Sequence, residues 1–293
     1  MPFSTHIVGT RSGPVQCHVD NRWAMNFAAS VDDRSPVLFD TRVGPIPVHP
    51  MFLAHPEWES QKKMRERLGL QPSELSTAVQ VTHDTRIFRA LRAGMTLETE
   101  ATVIGIERHR AGALSTVRHE HRTPGGERVA QTIVSAIYRG VAVEGEDRPA
   151  ETLEPAASAS QGGDAYTEAL DLPGTACHVY SECARIWNPI HTDLEVAVAA
   201  GLPGLILHAT GTIAKAVSAI TGRLHDGNPV TLSRIAGRFK AMVIVPTALK
   251  LDYVVRSPDP AGNRLVTFDV WTADGKPAIS SGLIEYAAAP IGG

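Results

Sequence analysis

Alternation of apolar and polar residues is the strongest pattern in this chain, and it occurs in two separate blocks. Such alternation is typical of half-buried antiparallel strands, because successive side chains point to opposite faces of a sheet. The first block contains three alternating runs, at residues 95–108, 113–122 and 128–140. A Thr-Pro-Gly-Gly-Glu segment, which has strong turn chemistry, separates the last two runs. We therefore predict a group of antiparallel strands in the first half of the chain.

The second block repeats this layout nearer the C-terminus. It contains four alternating runs, at residues 233–245, 248–257, 264–273 and 277–288. One separator includes Asp-Gly, a dipeptide that favours a hairpin turn. In both blocks the strands follow a loop-rich part with helical segments. This order predicts a segregated α+β fold rather than alternating βαβ units.

One helix is predicted clearly, between Ile206 and Gly222. Its apolar residues are spaced mostly by three and four, and Gly222 stands where a helix C-terminal glycine is favoured. Small or apolar residues surround almost the whole circumference, so the helix should be largely buried. The predicted fold class is therefore α+β, with two antiparallel sheets, each wrapped around a long apolar helix.

A change of composition near the midpoint divides the 293 residues into two units. The segment is rich in Pro, Ala, Ser, Gly and acidic residues, and it has no apolar periodicity. Such a segment buries too little apolar surface to offset the entropy lost on ordering, so its composition predicts a linker. We predict an N-terminal domain at 1–147, a linker at 148–163 and a C-terminal domain at 164–293.

A weak internal repeat supports two related halves. Residues 30–40 align with residues 183–193 at a constant offset of 153. Two prolines and two aspartates then coincide, each at the same place in halves of the same predicted layout.

Composition and charge exclude several classes of protein. The net charge is −3 without a basic block, which argues against nucleic acid as a partner. The longest apolar stretch, residues 196–207, is shorter than the about twenty residues that span a bilayer. Neither a secretory signal nor a CxxC pair is visible, so we expect a cytoplasmic protein. The histidines show no metal-ligand spacing and no nucleotide motif occurs, so we expect neither metal nor cofactor.

The most informative stretch is residues 180–214. It contains Asn188, Pro189, His191 and Asp193, then a short Ala- and Gly-containing helix and the segment Leu-Ile-Leu-His-Ala-Thr-Gly-Thr. This order resembles the MaoC-like hydratase/dehydratase family of hot-dog folds. The first half resembles the degenerate partner domain of the family's double hot-dog members, which shapes an acyl pocket.

The resemblance implies an enzyme that hydrates trans-2-enoyl thioesters, or dehydrates 3-hydroxyacyl thioesters, with (R) specificity. His191 would be the general acid/base, and Asn188 would position water or His191. The backbone N–H of Ala209, at the start of the buried helix, would stabilise the developing enolate. Substrate contacts would also come from three neighbours of these groups: His208, Gly211 and Arg185.

Four positions depart from the family pattern, namely Ala184, Arg185, Ile186 and Ala209, and the departure at Ile186 is the serious one. The family's acidic residue two places before the Asn is Ile186 here, which can neither carry a proton nor orient water. Glu182 and Asp193 are the carboxylates near enough in sequence to replace it. In the first half, Asp33 occupies the position that corresponds to Ile186. The position that corresponds to His191, however, is Leu38.

The broken acid/histidine pair leaves alternatives open. The same scaffold could carry out thioester hydrolysis, isomerisation or a natural-product cyclisation or dehydration. It could also bind acyl-CoA without turnover, as a partner subunit. The expected ligand is an acyl-CoA or acyl-carrier thioester, and the expected state is a monomeric pseudo-dimer or a homodimer.

Overall fold

The computed structural model describes residues 2–68, 77–150 and 162–292. Most of the predicted linker at 148–163 lies outside the described residues. Within the described residues, no helix is long and apolar enough to cross a bilayer.

Twelve strands are present in the described residues, ten of them in one sheet. In chain order they are β1 Phe3–Ser4, β2 Val15–His18, β3 Ala78–Ile87, β4 Thr96–His109, β5 Gly112–Arg122, β6 Arg128–Arg139, β7 Val143–Glu144, β8 Asp164–Leu172, β9 Leu232–Phe239, β10 Thr247–Val255, β11 Arg264–Trp271 and β12 Pro277–Tyr286.

Five α-helices lie in the described residues, two in the first half and three in the second. They are α1 Asn21–Ser30, α2 Ala54–Arg67, α3 Ala176–Ala184, α4 Leu194–Ala199 and α5 Ala209–His225.

The large sheet runs in the order β2-β4-β5-β6-β3-β9-β12-β11-β10-β8, and all its neighbouring strands are antiparallel. The two predicted sheets are therefore joined edge to edge, through the pairing of β3 with β9. Joining the halves at this point covers one open edge of each, which would otherwise present unpaired backbone groups.

Helix α5 is buried as its sequence predicts, but it runs from Ala209 to His225, so Gly222 lies inside the helix and the left-handed Asp226 ends it instead. Its buried residues include Ile213, Val217 and Ile220, each at most 1% exposed. These residues belong to one apolar core with Ile279 of β12, which forms part of the floor beneath the helix. Side-chain atoms of Ile213 and Ile279 lie 3.3 and 3.1 Å from the point that a Cβ on Gly237 of β9 would occupy. Burying these side chains stabilises the second half by about 1.5–3 kcal/mol each.

Helix α2 takes the corresponding place in the first half, and it differs from the predicted long apolar helix. Most of its residues are polar, and its buried side includes Glu57 and Ser60 as well as Met64. The strands beneath it carry polar residues at the facing positions, so it rests on a polar rather than an apolar floor.

The internal repeat is confirmed in the backbone. At the offset of 153, Asp32 and Arg185 are both left-handed, with φ of 59° and 52°. Each is followed by a short 3-10 turn, Pro36–Leu38 or Pro189–His191. The two halves thus present the same loop, with Leu38 in one and His191 in the other.

The strand boundaries correct two parts of the prediction. The run at 233–245 is a strand only as far as Phe239, after which the chain leaves the sheet ahead of Pro246. The alternation of apolar and polar residues predicts no strand at the positions of β2, β3 and β8, although β3 lies at the centre of the sheet. The remaining alternating runs form β4, β5, β6, β10, β11 and β12.

Candidate functional site

The loop after α3 holds the predicted motif, and the first half anchors it. Helix α3 ends at Ala184, and Arg185 turns the chain through its left-handed conformation. Trp23 of α1 donates from Nε1 to the carbonyl of Cys183 at 2.7 Å. The exposed Arg185 guanidinium lies 3.6 Å from the centre of the Trp23 ring. This cation–π contact engages the side chain that we predicted as a substrate contact.

Two polar residues of the motif act as caps. Asn188 Oδ1 accepts from the N–H of Ile190 at the start of the 3-10 turn. Asp193 Oδ1 accepts from the N–H groups of Glu195 and Val196 and so begins α4. These bonds hold the turn that carries His191, which lies between the two caps.

His191 is oriented by one backbone carbonyl. Its Nδ1 lies 2.8 Å from the carbonyl oxygen of Ile206, and because a carbonyl only accepts, Nδ1 must carry the proton. The lone pair of the neutral ring is then on Nε2. Burial lowers the pKa of His191 to about 4, although the Ile206 carbonyl opposes this shift. His191 is therefore a neutral base at neutral pH.

His208 stacks on His191 with ring centres 3.6 Å apart. Its Nε2 donates to the carbonyl of Ile186 at 3.3 Å. Its Nδ1 is buried and has no hydrogen-bond partner among the described residues. Burial, and then the neighbouring His191, hold the pKa of His208 well below its usual range. Two neutral imidazoles thus lie face to face beside the motif loop.

The N-terminus of α5 adjoins these rings. His208 makes no side-chain cap there, so the N–H of Ala209 is one of the helix's free first-turn donors. Tyr180 donates to Thr210 Oγ1 at 3.0 Å and packs against His208. At Gly211 a Cβ would approach the Tyr180 ring to 3.2 Å, so glycine permits this close contact.

Among the residues that the structure describes, no carboxylate makes a polar contact with His191 or His208. The Ile186 side chain is 5% exposed and belongs to the apolar core. Glu182 is exposed on α3. Asp33 Oδ1 lies 3.4 Å from the point that a Cβ on Gly227 would occupy, and Gly227 follows the C-terminal end of α5. A helix of this length separates its ends by about 25 Å, so Asp33 is remote from Ala209.

The arrangement can supply two elements of thioester chemistry. His191 offers an unprotonated Nε2, and the start of α5 offers N–H groups and the positive end of a helix dipole. Anionic charge developing on an oxygen beside Ala209 would be stabilised there.

The structure also brings together residues that sequence reasoning left apart. Three histidines of the first half, His83, His119 and His121, lie around the buried carboxylate of Glu57. No group of three or more ligands suited to a metal ion occurs among the described residues. The strand spacing of His119 and His121 is the one signal in the sequence that points to this cluster.

Both halves match known protein families. Residues 183–268 match the family described as "MaoC like domain", and residues 6–132 match "FAS1-like, dehydratase domain region". The chain is 25% identical over 166 residues to "Enoyl-CoA hydratase 2, peroxisomal" of Arabidopsis thaliana. That match covers 54% of this chain, and the chain spans only about half (53%) of that relative.

Solved structures share the whole fold. One named "MaoC-like dehydratase" has a TM-score of 0.80 at 20% identity, covering 97% of this chain and 99% of its own. A Mycobacterium tuberculosis protein described as having a double hotdog fold has a TM-score of 0.68 at 13% identity, covering 96% of each chain. The predicted double hot-dog fold and MaoC-like resemblance are confirmed.

Proposed function

We propose that this chain, a double hot-dog protein with a MaoC-like domain in its second half, is an (R)-specific hydratase of 2-enoyl thioesters, or the reverse dehydratase. The observation that carries the proposal is the Nδ1–H bond of His191 to Ile206, which leaves Nε2 as a base beside the N-terminus of α5. The named relative supports the reaction class, and the (R) specificity comes from the family resemblance.

The chemistry would use one imidazole twice. His191 Nε2 takes a proton from water, the hydroxyl oxygen bonds to C3, and the C2–C3 π electrons move toward the thioester oxygen. The Ala209 N–H stabilises the resulting enolate charge. The His191 imidazolium then returns its proton to C2, so atoms and charge balance without a second acid.

A second candidate is acyl-thioester binding without turnover. It is favoured by Ile186, because burial of an apolar side chain removes the family's proton carrier from the loop. In that case the first-turn N–H groups of α5 would still hold the thioester carbonyl.

The test is the loss of enoyl-thioester absorbance with short-, medium- and branched-chain 2-enoyl-CoAs. His191→Ala should lower turnover about 10²–10⁴-fold, the usual contribution of acid/base catalysis. His6→Ala removes an exposed histidine of the first half and is the control, with turnover expected to stay close to that of the wild type. Undiminished turnover in His191→Ala would contradict the assignment.

Two further readouts separate the alternatives. Release of free CoA thiol, detected with a thiol reagent, would show hydrolysis instead of hydration. Calorimetric binding of acyl-CoA without turnover of any chain length would establish the binding protein.

The pH profile tests the state of His191 more finely. Since its pKa is lowered to about 4, the base stays unprotonated down to that pH. The acid limb of kcat/KM should therefore lie near pH 4, with circular dichroism confirming that the protein remains folded. A limb at the ordinary histidine value, in folded protein, would show that the catalytic base is another group.

A further inference from the structure

Two histidines occupy equivalent places ahead of the two central helices. His49 precedes the 3-10 turn Pro50–Leu53 that leads into α2, and His208 directly precedes α5. Their backbones are nearly identical, with φ and ψ of −55° and 127° at His49 and −54° and 141° at His208. Both side chains are buried. The hydrogen bonds of the two rings can therefore be compared directly.

His49 caps its own turn. Its Nδ1 accepts from the N–H of Met51 at 3.2 Å, as an N-cap side chain does. The residue between them is Pro50, which has no N–H group. In the first half, the histidine Nδ1 is thus already satisfied, and the residue after the histidine offers a ligand no donor.

His208 makes no such cap. Its Nε2 donates to the Ile186 carbonyl at 3.3 Å, and burial holds its pKa well below the usual range, so the ring is neutral and Nδ1 carries a lone pair. Nδ1 is buried and has no partner among the described residues. It is the ring nitrogen nearer the backbone, so it lies beside the first turn of α5. That turn begins with the N–H of Ala209, and α5 therefore starts with a free acceptor next to a free donor.

The free Nδ1 of His208 selects the kind of atom that can satisfy it. A buried acceptor without a partner is costly, so a donor is expected there. Tyr180 packs on His208, but its hydroxyl donates to Thr210 Oγ1. A thioester carbonyl cannot serve, because its oxygen only accepts. The group that fits is an O–H, either of water or of a hydroxyl on the ligand.

A ligand can reach His208 from the surface. His208 is 5% exposed, but its neighbours on two sides are more open. His191, whose ring stacks on it at 3.6 Å, is partly exposed, and so are Ala209 and Thr210 at the start of α5. A molecule that contacts both His191 and Ala209 is therefore adjacent to His208, without passing through the interior.

We propose that His208 Nδ1 accepts a hydrogen bond from the oxygen that hydration adds to C3 of the substrate, which makes His208 a second catalytic residue beside His191. This inference rests on the proposed function. The attacking water donates one hydrogen to each ring. His191 Nε2 takes one as a proton, while the other stays on the oxygen, bonded to His208, as the bond to C3 forms. One oxygen about 2.8 Å from each nitrogen can bridge two rings whose centres are 3.6 Å apart.

This role accounts for an active site without the family's acid. Ile186 has no carboxylate to hold the water, but its backbone carbonyl fixes the proton of His208 on Nε2 and leaves Nδ1 as the acceptor. The water-holding contact then comes from a neutral imidazole. Dehydration uses the same contact in reverse, with the 3-hydroxyl of the substrate donating to His208.

The test is His208→Phe, which keeps an aromatic ring against His191 but has no acceptor. We expect kcat for 2-enoyl-CoA to fall about 10- to 100-fold, as for a lost hydrogen bond in the transition state. Calorimetric binding of a saturated acyl-CoA, which has no oxygen at C3, should stay within about twofold of the wild type. Undiminished kcat, or an equal loss in binding of the saturated ligand, would overturn the inference. His208→Leu is the second variant if His208→Phe does not fold.

Rescue by asparagine separates the acceptor from the ring. In His208→Asn, the amide oxygen can take the place of Nδ1, although the bond to the Ile186 carbonyl is lost. We expect kcat within about fivefold of the wild type, well above that of His208→Phe. Equal kcat losses in the two variants would show that the acceptor is not what matters and would overturn the assignment.

The first half supplies the matched control. His49→Phe removes the cap bond to Met51, so it should lower the midpoint of urea unfolding yet leave kcat unchanged in folded protein. His49→Asn, which keeps a capping acceptor, replaces it if His49→Phe does not fold. A kcat loss at His49 as large as that at His208 would show a general effect of removing a buried imidazole, and would overturn the inference.

The two proposals fail in different ways. Turnover that His191→Ala abolishes and His208→Phe leaves unchanged would remove the inference alone. If the wild type turns over no 2-enoyl-CoA, hydration fails, and binding of an (R)-3-hydroxyacyl-CoA is compared with that of its saturated parent. A preference of about fivefold or more for the hydroxylated ligand, lost in His208→Phe, would support the contact, and equal binding by the wild type would overturn it.

Discussion

The two halves have the same backbone plan but opposite interiors beneath their central helices. Helix α5 covers an apolar floor, whereas α2 covers a polar layer of buried side chains that includes His83, Thr85, His119 and Thr132. Apolar burial stabilises whatever side chains fill the space, while a buried carboxylate is costly unless its partners are fixed. The same backbone plan therefore accommodates either an apolar or a polar interior beneath its central helix.

The largest expected effect comes from breaking the apolar floor. Ile213 is fully buried on α5, so Ile213→Ala should lower the free energy of unfolding by about 2–5 kcal/mol through lost burial and a residual cavity. Urea unfolding followed by circular dichroism measures the loss.

The control for this change is Val198→Ala on α4, whose side chain is 59% exposed. Its effect should stay within about 0.5 kcal/mol. A similar loss of unfolding free energy in both variants would show that the apolar floor beneath α5 contributes no more to stability than the exposed surface of α4.

Acid should destabilise the polar layer more than the apolar floor. Burial lowers the pKa of His119 from 6.5 to about 3, so between these values the unfolded state binds a proton that the folded state does not. The contribution of His119 is therefore complete above pH 6.5 and is lost as pH falls toward 3. The loss is about 1.4 kcal/mol per pH unit.

Urea unfolding at pH 7.5 and pH 5 in the wild type and in His119→Gln checks this expectation. The variant should be less stable at high pH, yet lose about 2 kcal/mol less on acidification. His6→Gln, at an exposed position of the first half, should keep the wild-type pH dependence. An unchanged pH dependence in His119→Gln would show that other groups titrate.

The difference between the floors also explains what the sequence could predict. Strands β4, β10 and β11 place apolar residues on the buried face, so alternation reveals them. Strand β3 places His83 and Thr85 on that face, so the usual contrast between apolar and polar positions is lost. Helix α2 is obscured in the same way, because its buried residues include Glu57 and Ser60.

The motif shows a similar division. Local order along the chain was sufficient to bring His191, His208 and Ala209 together, since one loop and one helix start carry them. The cluster around Glu57 depends on strand register, with His119 and His83 brought in from β5 and β3. Register is a tertiary property, and single histidines on strands do not reveal it.

The smallest expected effect compares two aspartates at equivalent positions of the halves. Asp193 begins α4 by accepting from two backbone N–H groups, whereas Asp40 accepts from one, at the start of a three-residue 3-10 turn. Asp193→Ala should therefore cost about 0.5–2 kcal/mol, the usual value of an N-cap, and Asp40→Ala less. Urea unfolding resolves the two variants.

Asp193→Asn sharpens this last comparison, because asparagine caps a helix but its amide cannot take up or release a proton as an acid or base. If Asp193 only caps α4, Asp193→Asn should retain both stability and turnover. A loss of turnover of about 10²-fold or more in a stable Asp193→Asn protein would instead make Asp193 the acid that Ile186 cannot be. The first half offers the matched control, since Asp40→Asn alters the same position in the loop that carries Leu38 in place of His191.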